Sequence, residues 1–166
     1  MQGAIHMENT RKLVNSLHLL IATEMEIVFC TQIAHWNVNG TEFYSLHKML
    51  GDQYEEFFGE IDKIAEIIRT LNHEVSKQKI LKCKSMHHEK MKKMFCDWNE
   101  NCETNENREM LKNLIKCHKC ALDCINYSLI LCNFGNSNFE SEKNYLGELQ
   151  GRHKKAMWFL KSSLIL

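Results

Sequence analysis

The sequence contains no proline and only seven glycines in 166 residues. Those two residues punctuate tight turns and edge strands, so their scarcity argues against a turn-rich β architecture. Net charge is lacking as well. Lys+Arg and Asp+Glu both number 21, which leaves no global field to draw nucleic acid or an anionic membrane. No uninterrupted apolar run approaches the roughly 20 residues of a membrane-spanning helix. The most apolar stretch near the start, Leu17 to Phe29, carries His18, Glu24 and Glu26 and lacks a cleavage-like end. No secretory leader and no membrane partner are therefore expected. The eight cysteines would suit a disulfide scaffold only in a shorter, exported chain. They are read here as reduced thiols, and the protein as cytoplasmic. Met1 to His6 are read as a cloning remnant before a natural start at Met7, leaving 7–166 as a single domain.

What is present is helical periodicity. Four long segments carry apolar residues at a spacing near 3.6: about Asn9–Trp36, Thr41–Asn72, Thr104–Asn133 and Asn138–Ser163. Asn39-Gly40 separates the first pair, and Asn133 to Asn138 the second. Ser137 with Glu140 has the spacing of a capping box for the last helix. Short loops predict two antiparallel hairpins. About 30 residues lie between the second and third helices, enough to run from one end of a bundle to the other, with Met86 to Trp98 as a short helix on the way. Two hairpins and one long crossover describe an all-α, ferritin-like four-helix bundle, with an up-down-up-down bundle as the rival.

Four residues stand out chemically: His35, His47, Asp62 and Glu66. Asp62 and Glu66 are four apart and share one helix face. His47 precedes Asp62 by fifteen residues, which turns it only about 60° around the helix but separates the two by roughly 22 Å along the axis. One metal cannot be held from both ends of that helix. A two-fold antiparallel dimer would instead set His35 and His47 of one subunit against Asp62 and Glu66 of the partner subunit. Imidazole with carboxylate suits Fe or Zn. Taken alone, the same four residues also read as ordinary surface groups.

The wording around them adds to this. H-W-N-V-N-G-T-E-F-Y-S-L-H from His35 to His47, then Tyr54, then D-K-I-A-E from Asp62 to Glu66, resembles the Dps family of mini-ferritins. K-K-A-M-W-F-L, Lys154 to Leu160, resembles the family's last-helix motif. The resemblance covers both hairpins and fades between Glu74 and Asn107. It implies a hollow homo-oligomeric shell of twelve subunits. Sites between subunits would hold one or two Fe, with Zn as a substitute, and oxidise Fe(II), preferably with hydrogen peroxide, before storing ferric mineral. It gives Trp36 and Tyr54 a place beside the metals as donors of electrons to oxidising intermediates; as aromatics at helical spacing they also read as packing residues. Conventional ferritins build their centre inside one bundle from Glu-x-x-His motifs, and no such motif occurs here.

The sequence departs from the family at a telling place. Where an aspartate usually follows the second histidine by four residues, this chain has Gly51, and the arginine usually found after the glutamate is Ile67. Asp52 is adjacent, but one residue turns a side chain about 100° away. A rearranged helix turn would be needed to bring it in, and Gly51→Asp is the expected repair. The alternative is a non-catalytic cage or DNA-condensing shell with a degraded site. Strong DNA binding is not expected, since the only basic runs are Lys77–Lys84 and Lys90–Lys93. Cys117, Cys120 and Cys124 share one helix face beside His118 and are read as core thiols rather than a Zn or Cu(I) site; His87-His88-Glu89 is read as a solvated patch.

Overall fold

A computed structural model describes residues 2–83, 106–133 and 138–164, with side chains from Met7 and, after the crossover, from Asn107. Helix α1 runs Gln2–Asn37 and α2 Phe43–Thr70, entered through a 3-10 turn at Gly40–Glu42. A helical segment, α3, occupies 77–83; α4 is Glu106–Asn133 and α5 Glu140–Ser162. No strand occurs among the described residues. The expected helix over Met86–Trp98 and the Ser137 half of the capping box lie outside the described residues. The N-cap of α5 is Phe139, buried in the core, with its carbonyl accepting from the Lys143 amide. Apolar anchoring, rather than a capping hydroxyl, sets that end.

The loop between α1 and α2 is fixed by one side chain. Asn107 of α4 donates through Nδ2 to the Asn39 carbonyl at 2.8 Å and accepts the Asn39 amide at Oδ1 at 3.1 Å. Gly40 follows with φ +76°, a conformation that favours glycine. α2 ends two residues earlier than its periodicity predicts, in a Schellman motif. Asn72 takes φ 61°, its amide donates to the Arg69 carbonyl, and the His73 amide donates to Ile68.

Cross-helix contacts fix the topology. Residues 16 and 23 of α1 meet 128 and 124 of α4, so those helices are antiparallel. α1 and α2 form a hairpin, which makes α2 and α4 parallel and requires the crossover to travel the length of the bundle. α1 packs on both α2 and α4, and α4 on α5. Leu13, Leu17, Leu20, Ile27, Phe57, Ile64, Ile68, Ile125, Leu146 and Leu149 fill the larger core cluster, and Leu46, Leu50, Leu111, Leu114 and Leu160 a second at the hairpin-loop end. The window expectation for α1 needs correction. Between Met7 and Asn37 it is apolar enough on average to cross a membrane, because averaging absorbs Glu24 and Glu26. Of that window 67% is buried inside the bundle, as for a core helix.

A polar chain crosses this core. Glu24, His118 and His153 are all fully buried, on α1, α4 and α5. His153 Nε2 lies 2.9 Å from Glu24 Oε1, and its Nδ1 lies 2.9 Å from His118 Nδ1. Phe57 of α2 stacks on the His153 ring at 4.5 Å. Two Nδ1 atoms can share one hydrogen bond only if one ring donates and the other accepts. Both rings cannot be cationic, therefore, and burial makes His118 the neutral one, with its pKa pushed down to about 3. Beside this chain Glu60, also buried, accepts from Tyr145 Oη at 2.9 Å and Lys63 Nζ at 2.8 Å and pairs with Arg152. Glu60 thereby rivets α2 to α5.

This core makes stability depend on pH with a definite sign. Between pH 6.5 and about 3 the unfolded chain protonates His118 and the folded chain does not. Stability is thus complete above pH 6.5 and falls on acidification, by up to about 1.4 kcal/mol per pH unit. His18, lowered by burial, acts in the same direction; Glu24, raised chiefly by burial, opposes it over its own range. Urea denaturation from pH 7.5 to 5 should show this decline, and His118→Phe should flatten it. An unchanged pH slope in that variant would remove His118 as its source.

Candidate functional site

His35 ends α1 and His47 lies in the second turn of α2, and the hairpin brings them face to face. Their rings stack with centroids 3.7 Å apart at 22°. Each Nδ1–H donates to the other residue's backbone carbonyl: His35 to His47 at 2.7 Å, His47 to His35 at 2.8 Å. A carbonyl can only accept, so both Nδ1 atoms carry hydrogen. The neutral rings then keep their lone pairs on Nε2, the tautomer that binds metals. Phe43 stacks on the outer face of His47 at 5.0 Å, and Tyr54 meets His35 edge-on at 5.4 Å. Both histidines are half-buried.

Asp62 and Glu66 sit far along the same helix, exposed, on an unbroken α2. The rise from His47 to Asp62 is roughly 22 Å. Among the described residues no group of three His, Cys, Asp or Glu is arranged to hold a metal ion. The chain thus brings together two of the four expected ligands and keeps the other two apart from them. Tyr54 touches the histidine pair; Trp36 is 62% exposed at the end of α1.

Two expectations about Gly51 change. The rescue through Asp52 fails, because α2 continues without a rearranged turn and Lys48 Nζ holds the Asp52 carboxylate at 2.9 and 3.1 Å on the exposed side. Gly51 is also more than a missing ligand. A Cβ built there would stand 3.3 Å from His35 Cε1 and 3.5 Å from its Nδ1. The stacked ring lies over the bare backbone, so Gly51→Asp would add a carboxylate while pressing on the His35 ring.

Sequence reading missed Glu24, Glu60, His118 and His153 as a group. Buried carboxylates and imidazoles in four different helices leave no spacing signal. Cys117 is buried in the larger core cluster with Cys120 and Cys124 against it, as expected of core thiols, whereas His118 turns away from them toward His153. His87-His88-Glu89, Lys84 and Lys90–Lys93 lie outside the described residues.

Comparison with known proteins gives the same outline. The ferritin-like domain family matches residues 14–164. A low temperature-induced protein of Nostoc is 36% identical over 64 residues, covering 39% of this chain and 36% of that protein. DNA protection during starvation protein 2 of Deinococcus radiodurans is 37% identical over 59 residues, covering 36% of this chain and 24% of its own length. The matched stretch thus spans about a third or less of these relatives. The Dps protein of Vibrio cholerae O1, described as one of a broad superfamily of ferritin-like diiron-carboxylate proteins, superposes with a TM-score of 0.75 at 24% identity, over 95% of this chain and 91% of that one.

The two helix-interior glycines of α2 make a controlled pair. A Cβ at Gly59 meets nothing, so Gly59→Ala should stabilise by about 0.5–1 kcal/mol. Gly51→Ala should lose that gain and shift the His35 ring resonances, because the ring must give way. Equal stabilisation of both variants, with His35 unmoved, would show that the ring does not depend on the gap.

Proposed function

The chain belongs to the ferritin-like family, and from that premise we propose that it is an iron-detoxifying and iron-storing shell protein of the Dps type. The observation that carries this reading is the stacked His35–His47 pair, which offers two Nε2 donors, with Asp62 roughly 22 Å from His47 along α2 and Glu66 one turn further on. Two antiparallel copies complete a site from His35 and His47 of one subunit and Asp62 and Glu66 of the partner subunit. Two neutral and two anionic donors balance the charge of one Fe(II), the substrate; Zn(II) fits the same set. Hydrogen peroxide accepts two electrons, so two Fe(II) are consumed for each peroxide. With water they leave as ferric oxyhydroxide and protons, and the shell stores the mineral.

The chain's own residues divide this work. The backbone carbonyls of His35 and His47 hold the rings in the metal-binding tautomer. Phe43 and Tyr54 close the stack and limit water beside it. Tyr54 and Trp36 serve as one-electron donors that quench stray oxidising equivalents. Gly51 leaves the site one carboxylate short, so a second iron is held more weakly than the first. That shortage favours a second reading, a cage without efficient catalysis, because Asp52 is committed to Lys48. The protein acts in the cytoplasm, without strong DNA binding and without a membrane partner.

Two measurements test the proposal. In light scattering the protein should have about twelve times its 19.6 kDa chain mass, and a stable monomer would defeat both readings. Stopped-flow oxidation of Fe(II) by peroxide should exceed the protein-free rate. His47→Ala and Glu66→Ala should lower it at least about tenfold with the shell intact. A wild-type rate equal to the protein-free rate, in an intact shell, selects the non-catalytic cage.

A further inference from the structure

The seam between α1 and α4 is lined with short side chains that touch. Ser128 Oγ donates to Ser16 Oγ at 2.9 Å, and Thr23 Oγ1 lies 3.7 Å from Cys124 Sγ. Side chains this short meet only where two helices run close together. Seven residues on from Thr23 is Cys30, and seven residues back from Cys124 is Cys117. Because the helices are antiparallel, the same two-turn step on each brings these cysteines to the next rung, short of the Asn39–Asn107 clamp. Cys117 is buried and Cys30 half-buried, and both pack in the larger core cluster. The Cys30 side chain is close enough to push the Cys117 thiol's pKa up. The Cys30 thiol in turn donates to Glu26 Oε1 at 3.7 Å. Register and burial thus set out a row of buried thiol, accessible thiol and carboxylate.

We infer that Cys30 and Cys117 are a peroxide-responsive dithiol that closes into a disulfide joining α1 to α4. The row assigns the roles. Cys30 is the thiol that a hydroperoxide can reach, and Glu26 stands where its proton leaves. The Cys30 sulfur attacks one peroxide oxygen; the S–O bond forms, the O–O bond breaks, and one water departs, leaving a sulfenic acid. Cys117 then attacks the Cys30 sulfur. The S–S bond forms, the S–O bond breaks, and the hydroxyl leaves with the Cys117 proton as a second water. Two thiols lose two electrons and one peroxide gains them. Burial and the Cys30 contact keep Cys117 in its thiol form, with its pKa raised, until the sulfenic acid provides an electrophile beside it. The product ties two helices that are 87 residues apart in sequence, a cross-link that restrains a long loop of the unfolded chain.

The test uses the whole reduced protein, freed of iron with a chelator, so that its outcome is independent of ferroxidase activity. The protein is treated with hydrogen peroxide, alkylated under denaturing conditions, and digested without reductant for mass spectrometry. A linked peptide pair containing Cys30 and Cys117, two hydrogens lighter than the separate peptides and reversed by dithiothreitol, is expected. In Cys117→Ser the reaction should stop at a Cys30 sulfenic acid that dimedone traps. In Cys30→Ser, Cys117 should stay alkylatable. Three outcomes in the wild type would each overturn the inference, whatever the variants do: both thiols remaining alkylatable after excess peroxide, Cys30 pairing with Cys120 or Cys124, or Cys30 passing to sulfinic acid without a disulfide.

Discussion

The hydrogen-bond exchange between His35 and His47 is the constraint from which the chemistry of this chain follows. Each ring is fixed by the other residue's main chain, so neither can turn without releasing both. The exchange joins the last turn of α1 to the second turn of α2 and makes the hairpin itself part of the site. It also explains why a glycine is tolerated four residues later in the middle of a helix. A Cβ there would press on the ring, which would have to give by a few tenths of an ångström. A helix of 28 residues then places the carboxylates too far away for this chain to use. The separation of the two pairs is therefore a matter of helix length.

Away from that hairpin, the bundle is held by polar groups set deep among leucines and isoleucines. Glu24, His118 and His153 link three helices, and Glu60 with Tyr145 and Arg152 secures the fourth. Glu24 Oε2 and His118 Nε2 have no partner among the described residues, so the chain of bonds stops at both ends there. Buried polar groups of this kind specify register more than they add stability, because an apolar core tolerates small shifts and a hydrogen-bonded one does not. The helices that carry the histidine pair and the carboxylate pair are thus aligned by contacts that involve neither.

Much of this was legible in the sequence. Period-3.6 patterning located four helices to within a few residues at most ends, and loop lengths gave the two hairpins. The fifteen-residue step from His47 to Asp62 anticipated the separation of the two pairs along α2. What escaped notice had physical causes. Phe139 starts α5 through burial, which leaves no capping signature. Asn72 ends α2 in the left-handed conformation, where the apolar stripe alone suggests continuation. Gly51 was read as a lost aspartate because a sequence shows which side chain is absent and not which ring occupies the space. His118 looked like a companion of the cysteines around it until the helix phase placed it on another face.

The parallel arrangement of α2 and α4 has a consequence for how the protein reaches this state. The α1–α2 and α4–α5 contacts are local and close short loops, so each hairpin can form early. The α1–α4 seam joins residues about a hundred positions apart and must wait for a large loop to close. Docking of the two hairpins is therefore the late, slow event, and it is the step that removes Glu24, His118 and His153 from water. Before it, the apolar faces of both hairpins stand open to water. Until docking is complete those faces can pair between chains as well as within one, and the order in which they are covered decides between the folded bundle and an aggregate.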